Sequence, residues 1–212
     1  MVMGNDLNVT LKLLDNTGAI ERKIRKALAK DLNQKFKKRM PEIERELGKA
    51  LEAWLMQSPE LKAVAYGPLR GDFGIPRGSA VEQVERIIST VVQTSRVVFK
   101  PFSVRALTGG LTVKIQPGDF RNVLGAVEPV VTEKGESLDW ISWLLTRGDD
   151  IVVADYHVVP GNHGRSGDAV MKQGDFFRVR PEYSGTLEDN AITRALSDRG
   201  KEIANILHRV LR

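Results

Sequence analysis

A chain of 212 residues, 42% apolar and 28% charged, is long enough for one sizeable hydrophobic core and has the composition of a globular protein. It has no cysteine, which excludes a disulfide framework, a thiolate nucleophile and a cysteine zinc site. No apolar run reaches the roughly 20 residues that span a bilayer, and a net charge of +5 is mild for a dedicated nucleic-acid binder.

The first residues, MVMGNDLNVTLKLLDN, lack the basic start and apolar centre of a signal peptide, so use in a cytoplasm is expected. Leu7, Val9, Leu11 and Leu13 alternate with polar positions, the period of a short strand. Asn16 or Thr17 is placed to cap a helix. From there Ile20, Ile24, Ala27, Leu28, Leu32 and Phe36 form one apolar stripe. Pro41 is expected to end or kink that helix, since it lacks an amide hydrogen and crowds the preceding turn. Ile43, Leu47, Ala50, Leu51, Trp54 and Leu55 continue as a second stretch. Basic residues outnumber acidic ones between Glu21 and Lys49. They go all round the helix with few aromatics among them, which favours a solvated face of ion pairs over a nucleic-acid surface.

Ser58 and Pro59 open another short helix, serine as cap and proline at the first position. Residues 66–78 (YGPLRGDFGIPRG) form a breaker-rich connection. Its Arg70-Gly71-Asp72 triplet, repeated at Arg147-Gly148-Asp149, reads as turn chemistry. Ser79 with Glu82 makes a capping box for a helix whose buried side is Val81, Val84, Ile87, Ile88 and Val91. Val97 and Phe99, then Leu111, Val113 and Ile115, alternate as half-buried strands joined around Thr108-Gly109-Gly110, with Pro101 at an edge or bulge. Pro117-Gly118 turns the chain, Asp119 to Leu124 forms a helical turn, and residues 125–136 are loop or weak strand.

Leu138, Trp140, Ile141, Trp143, Leu144 and Leu145 make a short apolar helix, whose tryptophans suit a core better than a stacking platform. Gly148 is placed as its C-cap. Ile151 to Val159 is a nearly continuous apolar run, the pattern of a central strand. Residues 160–175 form a loop before a strand at Phe176 to Val179. Leu187 to Leu211 closes the chain as a helix interrupted by Gly200. The sum is one α+β domain over 1–212. An antiparallel sheet of four to five strands packs with helices on one side, and an extended glycine-rich hairpin projects from it. Residues 1–57 form a long helical extension and 58–212 the core.

Catalytic chemistry is sparse. Asp155 and His157 share a strand face by alternation, and His163 can return toward them past a Pro-Gly turn. Their spacing fits no compact zinc motif. The loop Gly161-Asn162-His163-Gly164-Arg165-Ser166-Gly167 is glycine-rich, yet Lys172 is followed by Gln173 and not by the Ser or Thr of a phosphate loop. Ser166 has no nucleophile elbow. Glu133, Glu136, Asp139, Asp149 and Asp150 suit turn and helix-end roles. Nothing calls for a cofactor. A loop held on a rigid sheet points instead to partner binding, which singles out His163, Arg165 and Lys172 as interface residues.

Two segments carry a family resemblance. Ser58 to Ile75 (SPELKAVAYGPLRGDFGI) begins Ser-Pro-Glu and ends Leu-Arg-Gly-x-Phe-Gly. Asp139 to Leu196 contains WISWLLTRGDDIVV, GRSGDAVM, an Arg-Val-Arg-Pro-Glu-Tyr-Ser-Gly-Thr run and DNAITRAL. Together they resemble structural virion proteins of tailed bacteriophages, of the neck and tail-completion type. The resemblance covers about a third of the chain and leaves the first 57 residues unmatched. It implies a non-enzymatic α+β subunit of a homo-oligomeric ring, a hexamer by expectation, located in the virion at the head–tail junction. Portal or adaptor proteins would lie above it and tail-tube or sheath proteins below. Tail-terminator and minor-tail roles stay open. A positive lumen facing packaged DNA would give Lys35, Lys37, Lys38 and Arg39 a use. The competing class is an enzyme or nucleic-acid binder. Asp155, His157 and His163 would hold a divalent metal for phosphodiester hydrolysis, or Lys23, Arg25, Lys26, Lys35, Lys37, Lys38 and Arg39 would grip phosphates.

Overall fold

The computed structural model describes residues 16–114, 118–131 and 137–212. The expected strand at Leu7–Leu13, Ile115, Pro117, Glu133 and Glu136 lie outside them. Helix α1 (Thr17–Met56) starts at Asn16, whose side chain accepts from the Ala19 N–H at 2.8 Å. It runs unbroken through Pro41, so the expected break does not occur. Phe36 on one side of the proline and Ile43, Leu47 and Leu55 on the other are all buried. Packing along both halves outweighs the single hydrogen bond that proline withholds.

Helix α2 (Pro59–Ala65) is capped by Ser58, as its sequence implies. A further helix, α3 (Pro68–Asp72), forms inside the stretch expected to be irregular. Helix α4 (Arg77–Thr94) begins directly after Pro76, and its N-terminus has no side-chain cap. The Ser79 capping box is therefore not formed: the helix starts three residues earlier, at Arg77, and the Ser79 hydroxyl donates back to the Pro76 carbonyl at 3.2 Å. Strands β1 (Arg96–Lys100) and β2 (Gly110–Lys114) pair antiparallel. Short helix α5 (Arg121–Leu124) and the two-residue strands β3 (Val130–Val131) and β4 (Ser137–Leu138) lead into α6 (Trp140–Leu145). Trp140, Ile141, Leu144 and Leu145 are buried there in the core. The helix ends at Thr146; Gly148, not its cap, takes a left-handed φ of +62° and donates to the Gly185 carbonyl at 2.8 Å.

Strands β5 (Ile151–Pro160) and β6 (Ala169–Arg178) form a hairpin of ten residues on each side. Half of the expected 160–175 loop is thus strand. Helices α7 (Ala191–Leu196) and α8 (Gly200–Leu211) follow, separated where Asp198 adopts a left-handed φ of +58°.

The mixed helix-and-strand class holds, but the single sheet of four to five strands does not. Among the described residues the strands pair only two by two. The cause is that the hairpins cover different cores. The inner face of β1–β2 (Val97, Phe99, Leu111, Val113) packs on Phe36, Ile43 and Leu47 of α1 and Val210 of α8, with Phe36 and Phe99 stacked at 5.2 Å. The β5–β6 hairpin instead lays Val152, Val153, Val158 and Phe177 on the main core built by α2, α3, α4 and α6. Strand β5 is not the central strand its apolar run implied. Its run pays one face to the core and leaves Ile151 and Ala154 exposed.

Candidate functional site

The β5–β6 hairpin is held at both ends. At its base Phe177 is buried edge-on to Phe73, with ring centroids 6.4 Å apart. At its tip residues 161–168 turn back, and Gly161 N–H donates to the Asp168 carbonyl at 3.0 Å. The buried Ser166 hydroxyl accepts from the N–H groups of Asp168 (3.2 Å) and Ala169 (3.3 Å). The Asp168 carboxylate takes a bond from Arg70 Nε at 2.9 Å, with further contacts from Arg70 Nη2 and Arg77 Nη2. These bonds, that from Arg77 first, hold the Asp168 carboxyl below its ordinary range. Close approach explains Gly71 and Gly164. A Cβ on Gly71 would sit 3.3 Å from the Cβ atoms of Asp168 and Ala169, and one on Gly164 would overlap the Ala169 carbonyl at 1.6 Å.

The same logic ties the rest of the molecule. Asp72 pairs with Arg180 at 3.4 Å, and partial burial raises its carboxyl against that attraction. The nearly buried Glu60 accepts from Ser58 Oγ (2.6 Å) and Arg194 Nη1 (2.9 Å). Arg194 also donates to Asp189 (2.7 Å) and to the Ser184 carbonyl (2.8 Å). Asn190 caps α7 and donates to the carbonyls of Thr186 (2.7 Å) and Leu145 (3.3 Å). The Arg70-Gly71-Asp72 triplet is therefore a structural clasp. So are Ser58-Pro59-Glu60 and the DNAITRAL segment.

Halfway along the hairpin the ladder shifts register between Ala154 and Tyr156. Asp155 (φ +63°), Gly174 (φ +98°) and Asp175 (φ +67°) all take left-handed backbone there. This irregularity cancels the simple alternation that put Asp155 and His157 on one face. His157 Nδ1 lies 2.8 Å from the Gly174 carbonyl, and Lys172 is its cross-strand neighbour. His163 and Arg165 are exposed on the tip loop. Among the described residues no group of three His, Asp or Glu side chains is placed to hold a metal, so Asp155, His157 and His163 do not form the proposed ligand set.

The basic residues of α1 divide. Lys35 pairs with Asp31 at 3.7 Å, Arg39 with Glu42 at 2.8 Å and Arg25 with Glu21 at 3.6 Å, whereas Lys37 and Lys38 are exposed with no ion pair among the described residues. An open groove of about 460 Å³ lies between α1, the end of α4 and β1–β2. Two of the cations lining it are already occupied, Lys49 by Glu46 and Arg45 by Glu42 and Glu46. No described helix is long and apolar enough to cross a membrane.

The hairpin itself was expected; what spacing did not disclose is the length of β6 and the ribbon's exposed apolar residues. Ile151 is 56% exposed, Met171 45% and Phe176 41%. Compared with known proteins, the chain matches no family model, no curated protein and no solved structure.

Proposed function

We propose that this chain is a structural subunit of a tailed-bacteriophage virion, part of the neck or tail-completion ring that joins head and tail, acting by assembly and not by catalysis. The observation that carries the reading is the β5–β6 ribbon. Clamped at its base by Phe177 and at its tip by Asp168, it is a rigid element whose two outer backbone edges have no strand partner among the described residues. A free edge is a template for strand addition from another chain. One such contact repeated around an axis closes into a ring. His163, Arg165 and Lys172 lie on the tip and outer part of this ribbon, available to a neighbouring copy or to portal, adaptor, tube or sheath proteins. The resemblance of residues 58–75 and 139–196 to neck and tail-completion proteins supplies the setting, and these two segments are the ones that the Asp168, Asp72 and Glu60 ion pairs hold together.

The test is light scattering across concentration on the parent chain and on a Met171→Glu/Phe176→Glu variant. The parent is expected to form a discrete ring, alone or on addition of neighbouring virion proteins. The variant is expected to remain a folded monomer. A parent that stays monomeric under both conditions overturns the reading.

A further inference from the structure

We infer that the outward face of the β1–β2 hairpin binds the phosphate backbone of double-stranded DNA. The argument starts from charge. Between Arg86 and Asp119 the chain contains no acidic residue, and it carries Arg96, Lys100, Arg105 and Lys114. The pleat sorts these four. Val97, Phe99, Leu111 and Val113 turn inward to the second core, so Lys100 and Lys114 face outward and are exposed. The exposed Arg96 stands at the hairpin's end, at the mouth of the groove that also holds Glu44 and Glu52, but paired with neither. Arg105 is exposed on the connection between the strands.

Arg96 and Lys114 are direct cross-strand partners. Like charges in that position repel, and a fold usually avoids or neutralises them. Here none of the four has an acidic partner among the described residues, although pairing is common elsewhere: Arg86 with Glu82, Arg199 with Glu202, Arg209 with Glu46. An external polyanion supplies the missing counter-charge. From Arg96 to Lys100 the strand extends roughly 13 Å, a length of duplex over which several phosphates lie. Alongside, Asn33 of α1 grips the hairpin connection through both its amide atoms: its oxygen accepts from Phe102 N–H at 2.7 Å and its nitrogen donates to the Phe102 carbonyl at 3.1 Å. Lys30 and Lys37 stand three residues before and four after Asn33, on the same helix face, exposed and without an ion pair among the described residues. They add positive charge on α1 beside that connection. This inference does not depend on ring formation.

Fluorescence anisotropy of a labelled random-sequence duplex of about 20 base pairs, titrated with the full chain, tests it. Four phosphate contacts predict an affinity loss on the order of 10²-fold between about 50 and 200 mM salt. An Arg96→Gln/Lys114→Gln variant is expected to lose about tenfold or more at the lower salt, with a salt slope shallower by about 2. It is also expected to melt no lower than the parent, because a repulsive pair is gone. Lys62→Glu, on exposed α2 surface, leaves binding unchanged. Absent binding by the parent, salt-independent binding, or undiminished binding by the double variant overturns the inference.

Discussion

Asp168 concentrates the logic of this molecule in one side chain. It stands on the tip of a long hairpin and draws in two arginines, Arg70 from α3 and Arg77 from the start of α4. Because those arginines hold its carboxyl below its ordinary value of 3.8 in the folded chain, the pair contributes stability above that pH and loses it as pH falls through the lower, folded value. Asp168→Asn is therefore expected to lower the urea midpoint at neutral pH, with the gap to the parent narrowing as pH drops below about 4. Denaturation curves at pH 7, 5, 4 and 3 check this; a gap that stays constant would show that the carboxylate charge is not what docks the tip. The role of Asp168 was not legible in advance. Its partners lie more than ninety positions away in sequence, and a lone aspartate in a glycine-rich loop gives no sign of that. Gly185 teaches the same point. It reads as a turn glycine, yet a Cβ there would come within 2.0 Å of the Leu144 carbonyl, a packing demand set by a distant helix.

At the scale of elements, helix α1 shows where local rules yield. Proline in a helix interior withholds a hydrogen bond and crowds the turn before it, yet α1 continues for 40 residues with Pro41 inside and exposed to solvent. The strain is borne by packing of Phe36, Ile43 and Leu47, so relieving it is expected to stabilise the chain. Pro41→Ala should raise the unfolding free energy by up to about 3 kcal/mol, read by urea denaturation. A loss of stability instead would mean that the chain needs the backbone geometry proline imposes there. The apolar stripes of α4, α8 and the second half of α1 were legible because a 3.6-residue period is written within a few turns. The stripe expected along the first half of α1 is not buried: Ile24 is 53% and Leu28 46% exposed, and Ala29 is buried instead. The Ser58 cap and the buried tryptophans of α6 were legible for similarly local reasons. The pairing of strands was not. Alternation marks a half-buried strand without saying which core it covers, so two separate hairpins looked like one sheet. The length of β6 was hidden too, since Met171, Lys172, Gln173, Gly174 and Asp175 are exposed and offer no apolar rhythm.

Among the described residues the molecule is built on two hydrophobic clusters, and α1 reaches both. Leu55 near its C-terminal end belongs to the main core, while Phe36, Ile43 and Leu47 seat the β1–β2 hairpin and α8. Arg209 of α8 adds an ion pair to Glu46 of α1 at 3.0 Å. The second cluster therefore joins α1 to the C-terminal helix, and the apolar faces of the hairpin and α8 both rest in it on α1. Removing residues 1–57 would uncover Val97, Phe99 and Val113 together with Ile203, Ile206 and Leu207. Uncovered faces of that kind bind hydrophobic dyes and associate. A chain of residues 58–212 is accordingly expected to bind anilinonaphthalene sulfonate and to unfold without a sharp transition, whereas the full chain unfolds cooperatively and leaves the dye dark. Near-ultraviolet circular dichroism discriminates the two states through Trp140 and Trp143, which both chains retain. If the shorter chain keeps that signal and melts sharply, the main core is self-sufficient and α1 with its cluster is a separable module. If the signal is lost, the contacts of α1 are part of what orders the core and, through α3 and Asp168, the ribbon laid upon it.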